Sequence, residues 1–171
     1  ILPQGIPGIV LTGTYDTELQ NKNMKKGVLD YFVKDNIGVI DSVIYSINRF
    51  LRNTQIHILA VDDSRSARAL LGRFLKRYGF NVTEAESGKA ALDEMAAQEA
   101  HLVITDLQMP EMDGLELVKK LRARHSRDTV AVIGLSSAGT PDLAVRFIKA
   151  GANDFLVKPY QSEELLCRVY Q

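Results

Sequence analysis

Short apolar runs alternate with amphipathic segments along most of this 171-residue chain, and this alternation limits its fold more than any other feature. From residue 56 onward, five runs predict strands, and each is followed by a segment whose apolar residues recur at helical spacing. The five runs are 56–61, 80–85, 102–105, 130–135 and 154–157. The first is apolar almost throughout, as expected of a strand that is buried on both faces. Strands that alternate with helices predict an α/β domain whose parallel sheet is covered by helices on both faces.

Polar side chains stand where these predicted strands end. Asp62 and Asp63 follow the first strand, and Asp106 follows the third. Ser136 follows the fourth strand, and Lys158 follows the fifth. Because the carboxyl ends of parallel strands form one edge where ligands bind, we expect these side chains to lie close together. Clustered carboxylates need a cation in order to coexist, and a hard divalent ion with oxygen ligands is the expected partner.

This set of residues permits phosphoryl transfer to a carboxylate. Aspartate is a competent nucleophile toward phosphorus, and the reaction requires little beyond positioning and charge neutralisation. We expect Asp62 and Asp63 to hold Mg²⁺, directly or through its waters. We expect Lys158 to pair with a phosphoryl oxygen and Ser136 to donate a hydrogen bond to another. Each residue alone has an ordinary explanation as a cap, a turn residue or a surface charge, but their joint placement at the strand ends favours a site.

The start of the chain repeats a segment near its end. Residues 10–34 align without a gap with residues 134–158, at an offset of 124. Both segments contain an apolar strand, a hydroxyl residue, an amphipathic helix, a glycine, an aromatic strand and a lysine. The matched pairs include Thr12 with Ser136, Gly27 with Gly151, and Lys34 with Lys158. A gapless register that keeps all of these together argues against chance similarity.

An offset of 124 residues is close to the size of a single domain, so the repeat indicates two copies of one domain. We expect residues 55–171 to be a complete copy that is truncated in its last helix. We expect residues 1–54 to be the C-terminal half of another copy, whose acids lie ahead of Ile1. The first copy departs from the second because Asp35 stands where the second has Pro159.

Composition excludes several classes of function. Acidic and basic residues balance at 21 each, which provides no electrostatic footprint for nucleic acid or for a membrane surface. No run approaches the roughly 18 apolar residues of a membrane span. The single cysteine, Cys167, rules out a disulfide framework and fits a reducing compartment. We therefore expect a cytoplasmic protein that binds neither nucleic acid nor a membrane directly.

Four motifs resemble those of the receiver domain of two-component response regulators. They are Val-Asp-Asp-Ser at 61–64, Asp-Leu-Gln-Met-Pro-Glu-Met-Asp-Gly at 106–114, Leu-Ser-Ser-Ala at 135–138 and Phe-Leu-Val-Lys-Pro at 155–159. The resemblance covers residues 56–171 completely and the first copy as a C-terminal half. It implies a flavodoxin-like, doubly wound sheet of five parallel strands in the order 2-1-3-4-5.

The resemblance also implies roles for the site residues. Asp106 would accept a phosphoryl group from a phosphohistidine on a sensor histidine kinase or a histidine phosphotransfer protein. Mg²⁺ would be bound by Asp63, Asp106 and the backbone carbonyl of Gln108, and Asp62 would assist through water. A receiver of this kind catalyses its own phosphorylation and dephosphorylation but is not an enzyme of ordinary turnover.

Switching in this family passes through a hydroxyl and an aromatic side chain. Ser136 would be the hydroxyl that rotates toward the phosphoryl group, and Phe155 the aromatic side chain that swings inward with it. The switching surface comprises the fourth helix, fifth strand and fifth helix of the copy, and it often forms homodimers. Gln108 and Ala138 lie where the family tunes dephosphorylation. Because Ala138 cannot position a water molecule, we expect a slow to moderate loss of the phosphoryl group.

The output of such a switch would lie outside this chain. Tandem receivers in this family often precede a cyclic-dinucleotide synthase or hydrolase domain, or belong to a hybrid kinase. The sequence selects none of these outputs.

Two other classes of function stay open from the sequence. A phosphatase of the haloacid-dehalogenase type also uses a strand-end aspartate and Mg²⁺, but its Asp-x-Asp motif does not fit Asp62-Asp63-Ser64. A degenerate receiver that serves only as a dimerisation or interaction scaffold is the second alternative. The intact set of site residues argues against a scaffold for the second copy, whereas the first copy, with only Thr12 and Lys34, leaves it open.

Overall fold

A computed structural model of the protein describes residues 7–14, 16–25, 28–34, 38–138 and 140–171. Seven strands alternate with seven helices along these residues. In chain order they are β1 Ile9–Thr12, α1 Thr17–Lys25, β2 Asp30–Val33, α2 Val39–Asn53, β3 His57–Val61, α3 Arg65–Arg77, β4 Asn81–Ala85, α4 Gly88–Ala97, β5 Leu102–Asp106, α5 Gly114–Arg122, β6 Ala131–Ser136, α6 Pro141–Ala150, β7 Asp154–Val157 and α7 Ser162–Val169. None of the helices in this part of the chain is long and apolar enough to cross a membrane.

The chain divides into two compact units. Unit 1 comprises residues 1–55 and 74–80, and unit 2 comprises residues 56–73 and 81–171. The first break lies one residue from the boundary that the sequence predicts. Residues 74–80 group with unit 1 because they pack on α2: the Asn53 side-chain amide donates to the Tyr78 carbonyl at 2.7 Å.

Unit 2 contains a five-stranded parallel sheet in the order β4-β3-β5-β6-β7. Counted within this unit, the order is 2-1-3-4-5, which confirms the predicted doubly wound, flavodoxin-like fold. Every residue of β3 and β5 is buried, as expected of strands covered by helices on both faces. The pairing places Asp106 beside Leu135 and Ser136 beside Val157, so the carboxyl ends of these strands lie along one edge.

Unit 1 contains the two-stranded parallel sheet β1-β2, and its register repeats that of β6-β7. Ile9 pairs with Asp30 as Ile133 pairs with Asp154, at the predicted offset. The backbone N–H of Lys34 donates to the Thr12 carbonyl at 2.7 Å, and the bond from Lys158 to Ser136 has the same length. The two segments are therefore alike in strand register and in this backbone hydrogen bond. Gly27 and Asp35, which the sequence comparison also uses, lie outside the described residues.

Candidate functional site

Three charged side chains from three strand ends meet at the carboxyl edge of the unit 2 sheet. Asp62 follows β3, Asp106 ends β5, and Lys158 follows β7. The Lys158 ammonium donates to Asp62 Oδ2 at 2.8 Å and to Asp106 Oδ1 at 2.5 Å. Asp62 is 3% exposed and Asp106 is 7% exposed, so the two carboxylates share one ammonium in a largely dry environment.

Backbone amides hold the remaining carboxylate oxygens of the two aspartates. The N–H of Ser64 donates to Asp62 Oδ1 at 2.9 Å, and the N–H of Gln108 donates to Asp106 Oδ2 at 2.8 Å. Gly114 lies against the backbone of Asp106, and a Cβ at this position would lie 2.3 Å from the Asp106 carbonyl oxygen. The loop after β5 therefore requires glycine at 114 in order to fold back beside the aspartate.

Electrostatics bind the lysine firmly to the acids. Burial by itself would lower the pKa of Lys158. The hydrogen bonds that its ammonium donates to Asp106 and Asp62, together with the negative charges of these two groups, outweigh burial and raise the pKa above its ordinary value. The lysine is therefore charged at neutral pH. Two carboxylates thus share one ammonium at this edge of the sheet.

The donor chemistry of this edge fits Mg²⁺. Asp62 and Asp106 offer buried carboxylate oxygens, the ligands that Mg²⁺ prefers, and the Gln108 backbone lies beside Asp106. Asp63 is exposed instead of packed into the cluster. Accordingly, the described parts of the chain hold no group of three acidic, histidine or cysteine side chains already arranged as metal ligands.

The predicted switch residues lie on two paired strands: Ser136 ends β6, and Phe155 lies in β7, which Lys158 follows. Ser136 is buried, and its hydroxyl donates to the Ala138 carbonyl at 3.3 Å and accepts from the Ala138 N–H at 3.0 Å. The hydroxyl is thus engaged with the loop that follows β6. Phe155 is partly buried against the core, and its ring centroid lies 5.4 Å from that of Phe147 on α6.

In unit 1, the residues that match the site have no acidic partner among the residues that the structure describes. The Thr12 hydroxyl donates to the Thr14 carbonyl at 3.1 Å, as Ser136 does to Ala138. Lys34 is exposed and forms no ion pair with any acid that the structure describes. The described part of the unit reproduces the turn of the site without its charge cluster.

Two residues near the cluster were missed by the sequence reasoning. Arg68 on α3 is largely buried and donates from Nη1 to the Asp62 carbonyl at 2.6 Å. Tyr160 is half-buried two residues after Lys158, and burial raises the pKa of its hydroxyl, with Asp62 and Asp106 adding to the rise and Lys158 opposing it. No spacing in the sequence points to Arg68, because its contact depends on how a long side chain folds back along α3.

Comparison with known proteins identifies the family to which this doubly wound sheet and its lysine-bridged acidic edge belong. The response regulator receiver domain family matches residues 58–170. The two-component response regulator ORR11 of Oryza sativa subsp. indica is 39% identical over 110 residues, which cover 64% of this chain and 75% of that protein. The chain belongs to the response regulator receiver domain family.

Solved structures extend the similarity to the first unit. A two-component system response regulator/GGDEF domain protein is 38% identical with a TM-score of 0.86, over 97% of this chain and 68% of that one. The CheX-CheY-BeF3-Mg complex of Borrelia burgdorferi is 28% identical with a TM-score of 0.61, over 67% of this chain and 86% of that one. Membership in the receiver family excludes the haloacid-dehalogenase alternative for unit 2.

Proposed function

We propose that unit 2 is a phosphorylation switch in which Asp106 accepts a phosphoryl group from a phosphohistidine on a sensor histidine kinase or phosphotransfer protein. The observation that carries this proposal is the single Lys158 ammonium held between the carboxylates of Asp62 and Asp106. A lysine held against Asp106 in this way would pair with an oxygen of a phosphoryl group on that residue.

The transfer needs little from the chain beyond position and charge. A carboxylate oxygen of Asp106 attacks phosphorus, the new P–O bond forms as the P–N bond breaks, and the imidazole of the donor histidine leaves and takes up a proton. Lys158 then balances the added charge by pairing with a phosphoryl oxygen. The Gln108 N–H keeps the other carboxylate oxygen in place during the transfer.

Mg²⁺ would be held by Asp63, Asp106 and the carbonyl of Gln108, with Asp62 assisting through water. When bound, Mg²⁺ would neutralise the negative charge that develops on the phosphoryl oxygens. The exposed carboxylate of Asp63 would turn toward the cluster in order to reach the ion.

Phosphorylation would be read by Ser136 and Phe155. The Ser136 hydroxyl would exchange its bonds with Ala138 for a bond to a phosphoryl oxygen, and Phe155 would move inward behind it. The affected surface would be α6, β7 and α7, which carries exposed apolar residues suited to a homodimer: Val145, Ile148 and Val157. The GGDEF domain of the solved relative supports a cyclic-dinucleotide synthase as the output domain.

Dephosphorylation would be slow to moderate. Ala138 has no polar atom with which to orient an attacking water molecule, and Gln108 is the other residue at a tuning position. After phosphorylation by a small-molecule donor with Mg²⁺, we expect a half-life of minutes or longer, followed by loss of the phosphoryl signal. A half-life of seconds would contradict this part of the proposal.

Trapping with beryllofluoride tests the proposal, since this anion mimics a phosphoryl group on aspartate. Calorimetric titration of the 171-residue chain should show one beryllofluoride per chain in the presence of Mg²⁺ and none with a chelator. Asp106→Asn should abolish binding because the acceptor carboxylate is lost. Asp93→Asn removes an exposed carboxylate on α4 and should leave binding intact. Equal binding by the wild type and Asp106→Asn would refute Asp106 as the acceptor.

A further inference from the structure

An open groove lies between α5 and α6 of unit 2, separate from the cluster that Lys158 bridges. Its volume is about 570 Å³, and the two helices form its walls. Asp62, Asp106 and Lys158 are not among the described residues that line it. Whatever binds in this groove therefore does not need to contact the phosphoryl-accepting cluster.

Three cationic side chains line this groove from its two walls. Lys119 comes from α5, and Arg146 and Lys149 come from successive turns of α6. All three residues are exposed, and none forms an ion pair with an acid that the structure describes. Because like charges that share one groove repel each other, an anionic group placed among them is stabilised by all three.

The acids beside the groove are already engaged. Among the described residues that line it, these acids are Asp113 and Glu116. The Asp113 carboxylate accepts a hydrogen bond from the Glu116 backbone N–H at 2.8 Å and so caps α5. The Glu116 carboxylate lies 3.2 Å from the ammonium of Lys120, which does not line the groove. The three cations are therefore left without compensation from within the groove.

The sequence around these helices also has an excess of positive charge. Residues 113–150 include seven basic and four acidic side chains, whereas the whole chain balances at 21 of each. The neutral total thus conceals a basic segment, and a partner that is attracted to this segment should be acidic.

The shape of the groove favours a peptide over a small anion. Sites for small molecules enclose most of the ligand surface, whereas this groove is open to solvent and its cations stand on both walls. Clusters of basic side chains on an open surface are a recurring means of recognising acidic protein segments. A segment with several carboxylates can reach both walls at once, which a single small anion cannot.

We propose that the groove between α5 and α6 binds an acidic peptide segment of a partner protein, whose carboxylates pair with Lys119, Arg146 and Lys149. Val145 and Ile148, which belong to the predicted switching surface, do not line this groove. Binding therefore does not depend on phosphorylation at Asp106, and a failure of the phosphorylation proposal would leave it intact.

Titration with fluorescein-labelled decaglutamate tests this proposal. Fluorescence anisotropy of the 171-residue chain should show saturable binding at low salt. The affinity should fall by about 10-fold when the salt concentration rises by about the same factor, because exposed charges are screened. Asp106→Asn should bind the peptide as the wild type does. In amide NMR spectra of the wild type, the largest shift changes should fall within residues 113–119 and 146–150.

A triple variant removes the cations of the groove. The combination of Lys119→Gln, Arg146→Gln and Lys149→Gln should weaken decaglutamate binding by about 10-fold, because three exposed ion pairs are lost. Circular dichroism should show an unchanged fold, since all three side chains are exposed and none forms an ion pair with a described acid.

A matched triple variant removes the same charge outside the groove. Arg52→Gln, Arg73→Gln and Lys89→Gln change exposed residues that do not line it, and together they should leave binding unchanged. Equal weakening by the two triple variants, absence of saturable binding, or NMR shift changes centred elsewhere would overturn the proposal. Displacement of the peptide by an equal concentration of inorganic pyrophosphate would overturn it in favour of a small phosphate-bearing ligand.

Discussion

The segments β1-α1-β2 and β6-α6-β7 share a strand register, but the charged contacts of their lysines differ. They share a strand register, a hydroxyl turned toward the loop that follows, and an equal bond from the lysine amide back to the hydroxyl residue. Lys34 is nevertheless exposed, whereas Lys158 binds two carboxylates. The strand-helix-strand segment thus positions the hydroxyl and the lysine, and the acids that make a site come from two other strands.

Removal of each lysine tests this difference most strongly. Lys158→Ala should reduce phosphorylation of Asp106 by about 10²-fold, because a preorganised cation is lost. Without Mg²⁺ it should also lower the free energy of unfolding by about 3 kcal/mol, since two buried carboxylates lose their shared cation. Lys34→Ala should change neither quantity. Phosphorylation rates and chemical denaturation measure both effects, and a loss of phosphorylation in Lys34→Ala would break the comparison.

The matched leucines compare the same register position with and without a neighbouring strand. Leu135→Ala should lower the free energy of unfolding by about 3 kcal/mol, because a fully buried side chain leaves a cavity. Leu11→Ala in the 171-residue chain should cost less than about 1 kcal/mol, because nearly half of the side chain already contacts water. Urea titration of each variant checks the two values. Equal costs would mean that β1 is covered in the 171-residue chain.

Arg68 sharpens the comparison because its contact has no counterpart among the described residues of unit 1. Its guanidinium holds the carbonyl of Asp62, immediately before Asp63. Arg68→Ala should weaken Mg²⁺ binding by about 10-fold, as is typical when a residue that orients metal ligands is removed. Arg68→Lys should recover part of this loss. Magnesium titration followed by NMR measures the affinities, and an unchanged affinity in Arg68→Ala would assign the residue to stability alone.

The smallest effect concerns the matched aromatic residues. Tyr31→Phe gives unit 1 the aromatic residue that unit 2 has at Phe155. It should stabilise the 171-residue chain by about 1 kcal/mol, because it removes a buried hydroxyl without a partner. Thermal unfolding detects the change as a higher midpoint, and a lower midpoint would show that the hydroxyl is bonded in solution.

The strand ends were predictable because a parallel sheet brings them to one edge regardless of side-chain detail. Asp62, Asp106 and Lys158 meet there as the sequence indicates. The position of Asp63 was not predictable, since a residue in the loop after a strand is free to face solvent or the cluster. The contact of Arg68 depends on a long side chain that folds back along α3, which spacing alone does not specify. Local pattern thus determined the scaffold, and tertiary packing determined which charges pair.

The central claim is that only one of the two lysine and hydroxyl pairs in this chain forms a phosphoryl-accepting site. Mass spectrometry of the intact 171-residue chain, after incubation with a small-molecule phosphodonor and Mg²⁺, tests it directly. The account predicts one phosphoryl group per chain, located on the peptide that contains Asp106. A phosphoryl group within residues 1–55, or an unmodified Asp106, would contradict it.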